Sequence, residues 1–189
     1  VELVFDFFED HLKAAAAVKS RRPLALGVLC FSLGALSLFV AMGVSGRLAP
    51  LPCNWAIFAL FLLWELGSGL AVVAFVHLIA DFEGRPGSGG ELFVLFGVAN
   101  LTWALAVPLA LILLAFSPRA HWPLTAAFLL LGFYNLSLKA RSLQDTYQFS
   151  PGRAWTTLVL PYLAAVLASV LAFTLAMAGV VMQVMKSFD

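Results

Sequence analysis

Five long apolar stretches alternate with short polar gaps along this chain. They run from about Pro23 to Val44, Trp55 to Ala80, Leu92 to Phe116, Trp122 to Leu138 and Ala154 to Met185. A helix that crosses a bilayer needs roughly 20 residues. The first three stretches meet that length, the fourth is the shortest and has its start blurred by Pro118 and Pro123, and the fifth exceeds it. The fifth is therefore expected to tilt, to kink at Pro161 or to extend beyond the bilayer. The pattern predicts an all-α polytopic membrane protein: a five-helix transmembrane domain over residues 23–189, preceded by an amphipathic helix over residues 1–22.

The gaps differ in a consistent way. Residues 81–91, DFEGRPGSGGE, read as a Gly-rich flexible connector, and residues 139–153, KARSLQDTYQFSPGR, form the longest polar stretch. The gaps on the other side, SGRLAPLPCN and SPRAH, are short and contain proline. Eight of the eleven basic residues lie on the side of the N-terminus: Lys13, Lys19, Arg21, Arg22, Arg85, Lys139, Arg141 and Arg153. Arg47, Arg119 and Lys186 lie on the other. Basic residues are retained on the cytoplasmic side of a membrane, so the N-terminus is expected inside and the C-terminus outside. Trp55, Trp122 and Trp155 fall near predicted span ends, where amphipathic rings favour the interface.

In the N-terminal segment Val1, Val4, Phe5, Phe8, Leu12 and Ala15 recur at helical spacing, and Glu2, Asp6, Glu9 and Lys13 form a second stripe. Acids come early and bases late, as the helix dipole favours. Two placements suit this helix: on the inner leaflet with its phenylalanines in the headgroup boundary, or packed on the ends of the bundle or on a partner.

Composition sharpens the class. The chain has 189 residues, is 62% hydrophobic and 11% charged, and has a mean hydropathy of +0.99. Soluble domains carry about 25% charged residues, so this chain cannot cover a surface facing water. A bilayer is the solvent that such a composition fits. Nothing in the charge pattern suggests nucleic-acid binding. Cys30 falls inside the first apolar stretch and Cys53 in the loop after it; both are expected to be free thiols, and two separated cysteines build no metal framework.

Candidate chemistry is sparse. Glu65 sits near the middle of the second span, where a carboxylate is expensive and points to function. It is a candidate for binding a proton, a cation or a polar partner, with Asn100 as the amide able to reach it. Against this, Gly67, Ser68 and Gly69 permit close helix approach and favour a packing role. His77 and Asp81 share a helix face, with Glu83 following, which makes half of a metal site. No second half is evident, and a polar helix end is the simpler reading. Asn100 and Gln183 suit interhelical hydrogen bonds. Ala164, Ala168, Ala172 and Ala176 make a small-residue stripe for close helix approach, within the monomer or between chains. No hydrolase, zinc-protease, P-loop or dinucleotide motif is present. Neither a catalytic residue, a cofactor nor a metal is expected.

Two segments resemble the Yip-domain family of five-span membrane proteins, named for its Ypt/Rab-interacting members. Residues 77–108, HLIADFEGRPGSGGELFVLFGVANLTWALAVP, are similar to its span end with a histidine, Gly-rich loop and following span with small residues and proline. Residues 132–161, GFYNLSLKARSLQDTYQFSPGRAWTTLVLP, are similar to its later span, polar loop and small-Gly-basic-Ala opening of the last span. Residues 90–99 and 152–161 also resemble each other, as openings of two spans. The resemblance implies five spans, a cytoplasmic N-terminus and, in eukaryotic members, a role in membrane traffic with small GTPases. This chain lacks the DLYGP-type motif of those members and is closer to the bacterial branch.

Together these readings predict a non-enzymatic scaffold or adaptor that organises partner proteins or lipids from its cytoplasmic face. Arg21, Arg22, His77, Asp81, Lys139, Arg141 and Arg153 are its candidate interaction surface. The alternative is a small transporter, or a subunit of one, with Glu65 as its coupling site.

Overall fold

A computed structural model describes residues 2–9, 11–21, 23–116 and 121–186. Val1, Arg22, Pro118 and Arg119 lie outside the described residues, as do the side chains of Glu2, His11, Leu12, Arg21, His121 and Lys186. Among the described residues the chain is helical, without strands: α1 Glu2–Glu9, α2 His11–Arg21, α3 Leu24–Val44, α4 Trp55–Phe82, α5 Gly89–Asn100, a 3-10 turn Leu101–Leu105, α6 Ala106–Phe116, α7 His121–Tyr147 and α8 Pro151–Lys186. Five segments are long and apolar enough to span a membrane: α3, α4, α5 through α6, α7 and α8. This is an integral membrane protein.

Local chemistry sets the ends. Asn54 caps α4, its side-chain oxygen accepting from the Ile57 N–H at 3.0 Å. Gly46 and Gly84 take positive φ and close α3 and α4. At each, two bonds turn the chain: Gly46 to Gly43 and Arg47 to Met42, then Gly84 to Asp81 and Arg85 to Ala80. This is the Schellman geometry, which glycine adopts without a steric penalty.

The third span is broken where the sequence pattern is continuous. Pro108 stands in the first turn of α6, where a missing N–H is tolerated. It leaves the Ala104 carbonyl without its helical donor, and the Ser37 hydroxyl of α3 donates to that oxygen at 3.2 Å. The turn Leu101–Leu105 tightens to 3-10 just before this point.

The fourth span is longer than its apolar stretch. Residues 139–147 continue α7 to Tyr147 rather than forming a polar loop. Ser142, Leu143 and Tyr147 are buried on one face of this extension, so tertiary packing holds it helical. Gln148, at φ 53, then turns the chain, and Pro151 opens α8.

The N-terminal segment packs on its own bundle. Phe7, Ala14 and Val18 are fully buried against α3, α5 and α7, in a cluster with Cys30, Val94, Leu95, Val98 and Leu138. The inward stripe is thus rotated from the one the sequence periodicity suggests. Phe5 and Phe8 are exposed, whereas Phe7 is fully buried. Lys13 and Asp6 join α2 to α1 across 2.7 Å.

The bundle centre is α5, whose residues from Glu91 to Asn100 are all buried. Its closest neighbour is α3, and glycines allow that approach. A Cβ on Gly97 would lie 2.5 Å from the Gly27 carbonyl oxygen, and one on Gly34 would lie 2.4 Å from the Asn100 carbonyl oxygen. The last span behaves differently. Ala154, Thr157 and Leu158 of α8 are buried, but from Tyr162 to Met185 every described side chain is exposed. α8 runs on through Pro161 as one helix of 36 residues, about 54 Å at 1.5 Å per residue. Pro161 marks the point where it leaves its neighbours.

Candidate functional sites

Three polar clusters stand out, and each draws on helices that are distant in sequence.

The first lies within the membrane-spanning region. Glu65 is half-buried on α4 and interacts electrostatically with Lys139 of α7 and Tyr162 of α8. The Lys139 ammonium lies 5.7 Å from the centre of the Phe96 ring on α5, which places it over an aromatic face. Asn100 is not among the groups coupled to Glu65. It is buried on α5 against Gly34 of α3, and its Nδ2 finds no hydrogen-bond partner among the described residues.

A second amide in the same region carries the interhelical bonding. Asn135 of α7, which the sequence reading passed over, donates to the Ala99 carbonyl at 2.8 Å and to the Thr102 hydroxyl at 3.1 Å. It ties α7 to the point where α5 becomes 3-10. The amide inside the apolar run GFYNLSL was its signal. Replacing Asn135 with leucine should lower stability by about 1–2 kcal/mol. SDS titration of the protein in mixed micelles measures this. Gln183, by contrast, is exposed on the unpacked part of α8.

The second cluster closes the end of the bundle that holds the N-terminus. The His77 imidazole Nδ1 and the Tyr147 hydroxyl are 2.8 Å apart, joining α4 to α7. Arg153 at the start of α8 is ion-paired with Glu83 after α4. The Arg85 guanidinium lies 5.8 Å from the Phe149 ring centre. Gly87 passes over Tyr147 so closely that a Cβ would lie 2.2 Å from the ring. The Gly-rich connector is therefore a close-fitting cover, and glycine is there for space.

These contacts sort the candidate interaction surface. His77 and Arg153 are engaged within the chain, and Lys139 is turned into the bundle. Asp81 and Arg141 are exposed. Arg22 and the Arg21 side chain lie outside the described residues. Among the described residues no group of three metal-ligating side chains comes together. Both cysteines are free, Cys30 buried and Cys53 exposed.

The third cluster is a pocket between α2, α5 and α7, lined by Lys19, Glu91, Asp145 and Thr146 over a floor of Ala15, Ala16 and Leu95. Sequence reading did not find it, because its residues come from three separate polar segments. Comparison with protein families, with curated proteins and with solved structures finds no match to this chain.

Proposed function

We propose that this protein is a non-catalytic scaffold of a bacterial cytoplasmic membrane, with its N-terminus in the cytoplasm. One observation carries the reading: from Leu163 to Met185 every described side chain of α8 is exposed, Ala164, Ala168, Ala172 and Ala176 among them. In lipid, apolar exposure alone drives no association, so small residues that let two backbones approach are what an assembling helix offers. The rest of the bundle then acts as the anchor. The resemblance of residues 77–108 and 132–161 to Yip-domain proteins supports the same reading.

Cysteine cross-linking in native membranes tests it, in a chain with Cys30→Ala and Cys53→Ser. Ala168→Cys and Ala172→Cys should form a cross-linked species in high yield, and Val166→Cys, off the stripe, a low one. A product of twice the chain mass identifies a second copy. A heavier or lighter product identifies another protein. Equal yields at all three positions, or none, would sink the scaffold reading.

The transporter reading rests on Glu65 being electrostatically coupled to Lys139 and Tyr162, groups from three spans. It predicts proton or cation flux through wild-type protein in liposomes under an imposed potential, and loss of that flux in Glu65→Gln. A wild-type protein without flux removes it.

A further inference from the structure

The N-terminal helices are held at one end of the bundle. α2 ends at Arg21 and the first span begins at Leu24, so α2 cannot leave the membrane surface. Ala15, Ala16 and Lys19 of α2 line one pocket with Glu91, near the start of α5, and with Asp145 and Thr146, near the end of α7. α2 therefore lies at the level where two spans begin and finish. The apolar cluster that buries Phe7 of α1 extends deeper. It includes Val98 and Leu138, each about nine residues, or about 14 Å, inside the end of its span.

α1 carries three different faces. Successive residues stand about 100° apart around a helix, so Phe5 and Phe8 lie about 60° from each other and share one face. They are 65% and 45% exposed. Phe7 lies about 130° from the middle of that face and is fully buried, with Leu3 and Val4 packed partly against the same cluster. Asp6 and Glu9 lie about 100° to the other side. Asp6 is ion-paired with Lys13 of α2 at 2.7 Å, which leaves that face less charged than its sequence suggests. Two large aromatic side chains exposed side by side need a covering apolar phase.

We infer that Phe5 and Phe8 are inserted into the lipid leaflet at this end of the bundle. α1 then sits where protein, lipid and water meet: Phe7 on the bundle, Phe5 and Phe8 at the boundary of headgroups and chains, Asp6 and Glu9 toward water. Lipid is the occupant because the exposed face continues a surface that the bilayer already covers. The cluster holding Phe7 belongs to stretches that span the membrane, and the helix that follows α2 exposes Leu24, Val28 and Leu29 in its first two turns. An amphipathic helix binds such a boundary through the apolar area it buries there. The two placements that periodicity allows, on the leaflet and on the bundle, are both taken, by different faces of one helix. The inference goes beyond the scaffold reading and is independent of it, since it requires only that the bundle spans a bilayer.

Nitroxide labels test it. In a chain with Cys53→Ser, where the remaining Cys30 is buried, Phe5→Cys, Phe8→Cys and Glu9→Cys are labelled one at a time and placed in nanodiscs. Paramagnetic resonance then compares collisions with oxygen, which concentrates in lipid, and with a water-soluble nickel chelate. The labels replacing Phe5 and Phe8 should be reached by oxygen in preference to nickel, and the label replacing Glu9 by nickel. The opposite preference at Phe5 and Phe8 shows a surface facing water, and shielding from both reagents shows a protein seated on it. Either result overturns the proposal. Hydrogen exchange of unlabelled protein gives a second reading that no label can bias. In Phe5→Ser/Phe8→Ser, which leaves Phe7 in place, the amides of residues 2–9 should exchange several-fold faster than in wild type in nanodiscs, with α5 unchanged. Equal exchange of residues 2–9 in the two proteins also overturns the proposal.

Discussion

Gly97→Ala should destabilise this protein by about 2–3 kcal/mol. The new Cβ would meet backbone, at 2.5 Å from the Gly27 oxygen and 2.9 Å from its Cα. Backbone cannot rotate away as a side-chain tip can, so α3 and α5 must separate along their shared face. Overpacking a core costs about 1–3 kcal/mol, and a backbone-to-backbone clash at the central helix belongs at the upper end. Gly34→Ala, whose Cβ would lie 2.4 Å from the Asn100 carbonyl oxygen, should behave alike. Gly67→Ala is the matched control. Nothing lies within 4 Å of its added carbon, and helix propensity favours alanine over glycine by about 1 kcal/mol. One substitution type thus has opposite signs at two sites, readable by SDS titration or by thermal aggregation in mild detergent. A neutral Gly97→Ala would refute the close α3–α5 contact.

The second large effect concerns the charges within the spans. Lys139→Met should destabilise by about 1–2 kcal/mol, because it removes the positive charge whose field reaches Glu65. Glu65→Gln should be harmful in the mirror sense, stranding the ammonium beside Phe96. The double variant Glu65→Gln/Lys139→Met should recover much of the loss, since two neutral groups demand no counter-charge. A double-mutant cycle by SDS titration reads the coupling, expected at about 1–3 kcal/mol. Additive effects would show that Glu65 and Lys139 do not meet. The same cycle bears on function. A pair that serves only stability is replaceable by two neutral groups with assembly intact, whereas a coupling site loses its flux in either single variant.

Much of this architecture could be read from periodicity. The bilayer sets the length of an apolar run, and that constraint is strong enough to reveal five spans without any tertiary contact. Asn54 as a cap and the positive-φ glycines Gly46 and Gly84 follow from local chemistry of the same kind. Glu65 was visible because a carboxylate is rare at bilayer depth. The groups coupled to it were not. Lys139 looked like the first residue of a polar loop, and only the continuation of α7 to Tyr147 turned it inward.

The N-terminal segment shows why. Its sequence has two apolar faces, one through Phe5 and Phe8 and one through Phe7, and periodicity alone favours the former. Which face meets protein depends on where α5 and α7 stand, and the structure buries Phe7. The pocket of Glu91 and Thr146 has the same origin, since α2, α5 and α7 supply one or two polar groups each and none forms a motif alone.

The sequence by itself determined the class and the number of spans, because these depend on solvent and on the length of each apolar run. The tertiary structure decided which polar groups share an environment, which glycines are needed for space, and that the described side chains of α8 past Tyr162 stand exposed. Those depend on contacts between segments tens of residues apart, and inside a bilayer every such segment is apolar enough that its pattern does not say which neighbour it will face.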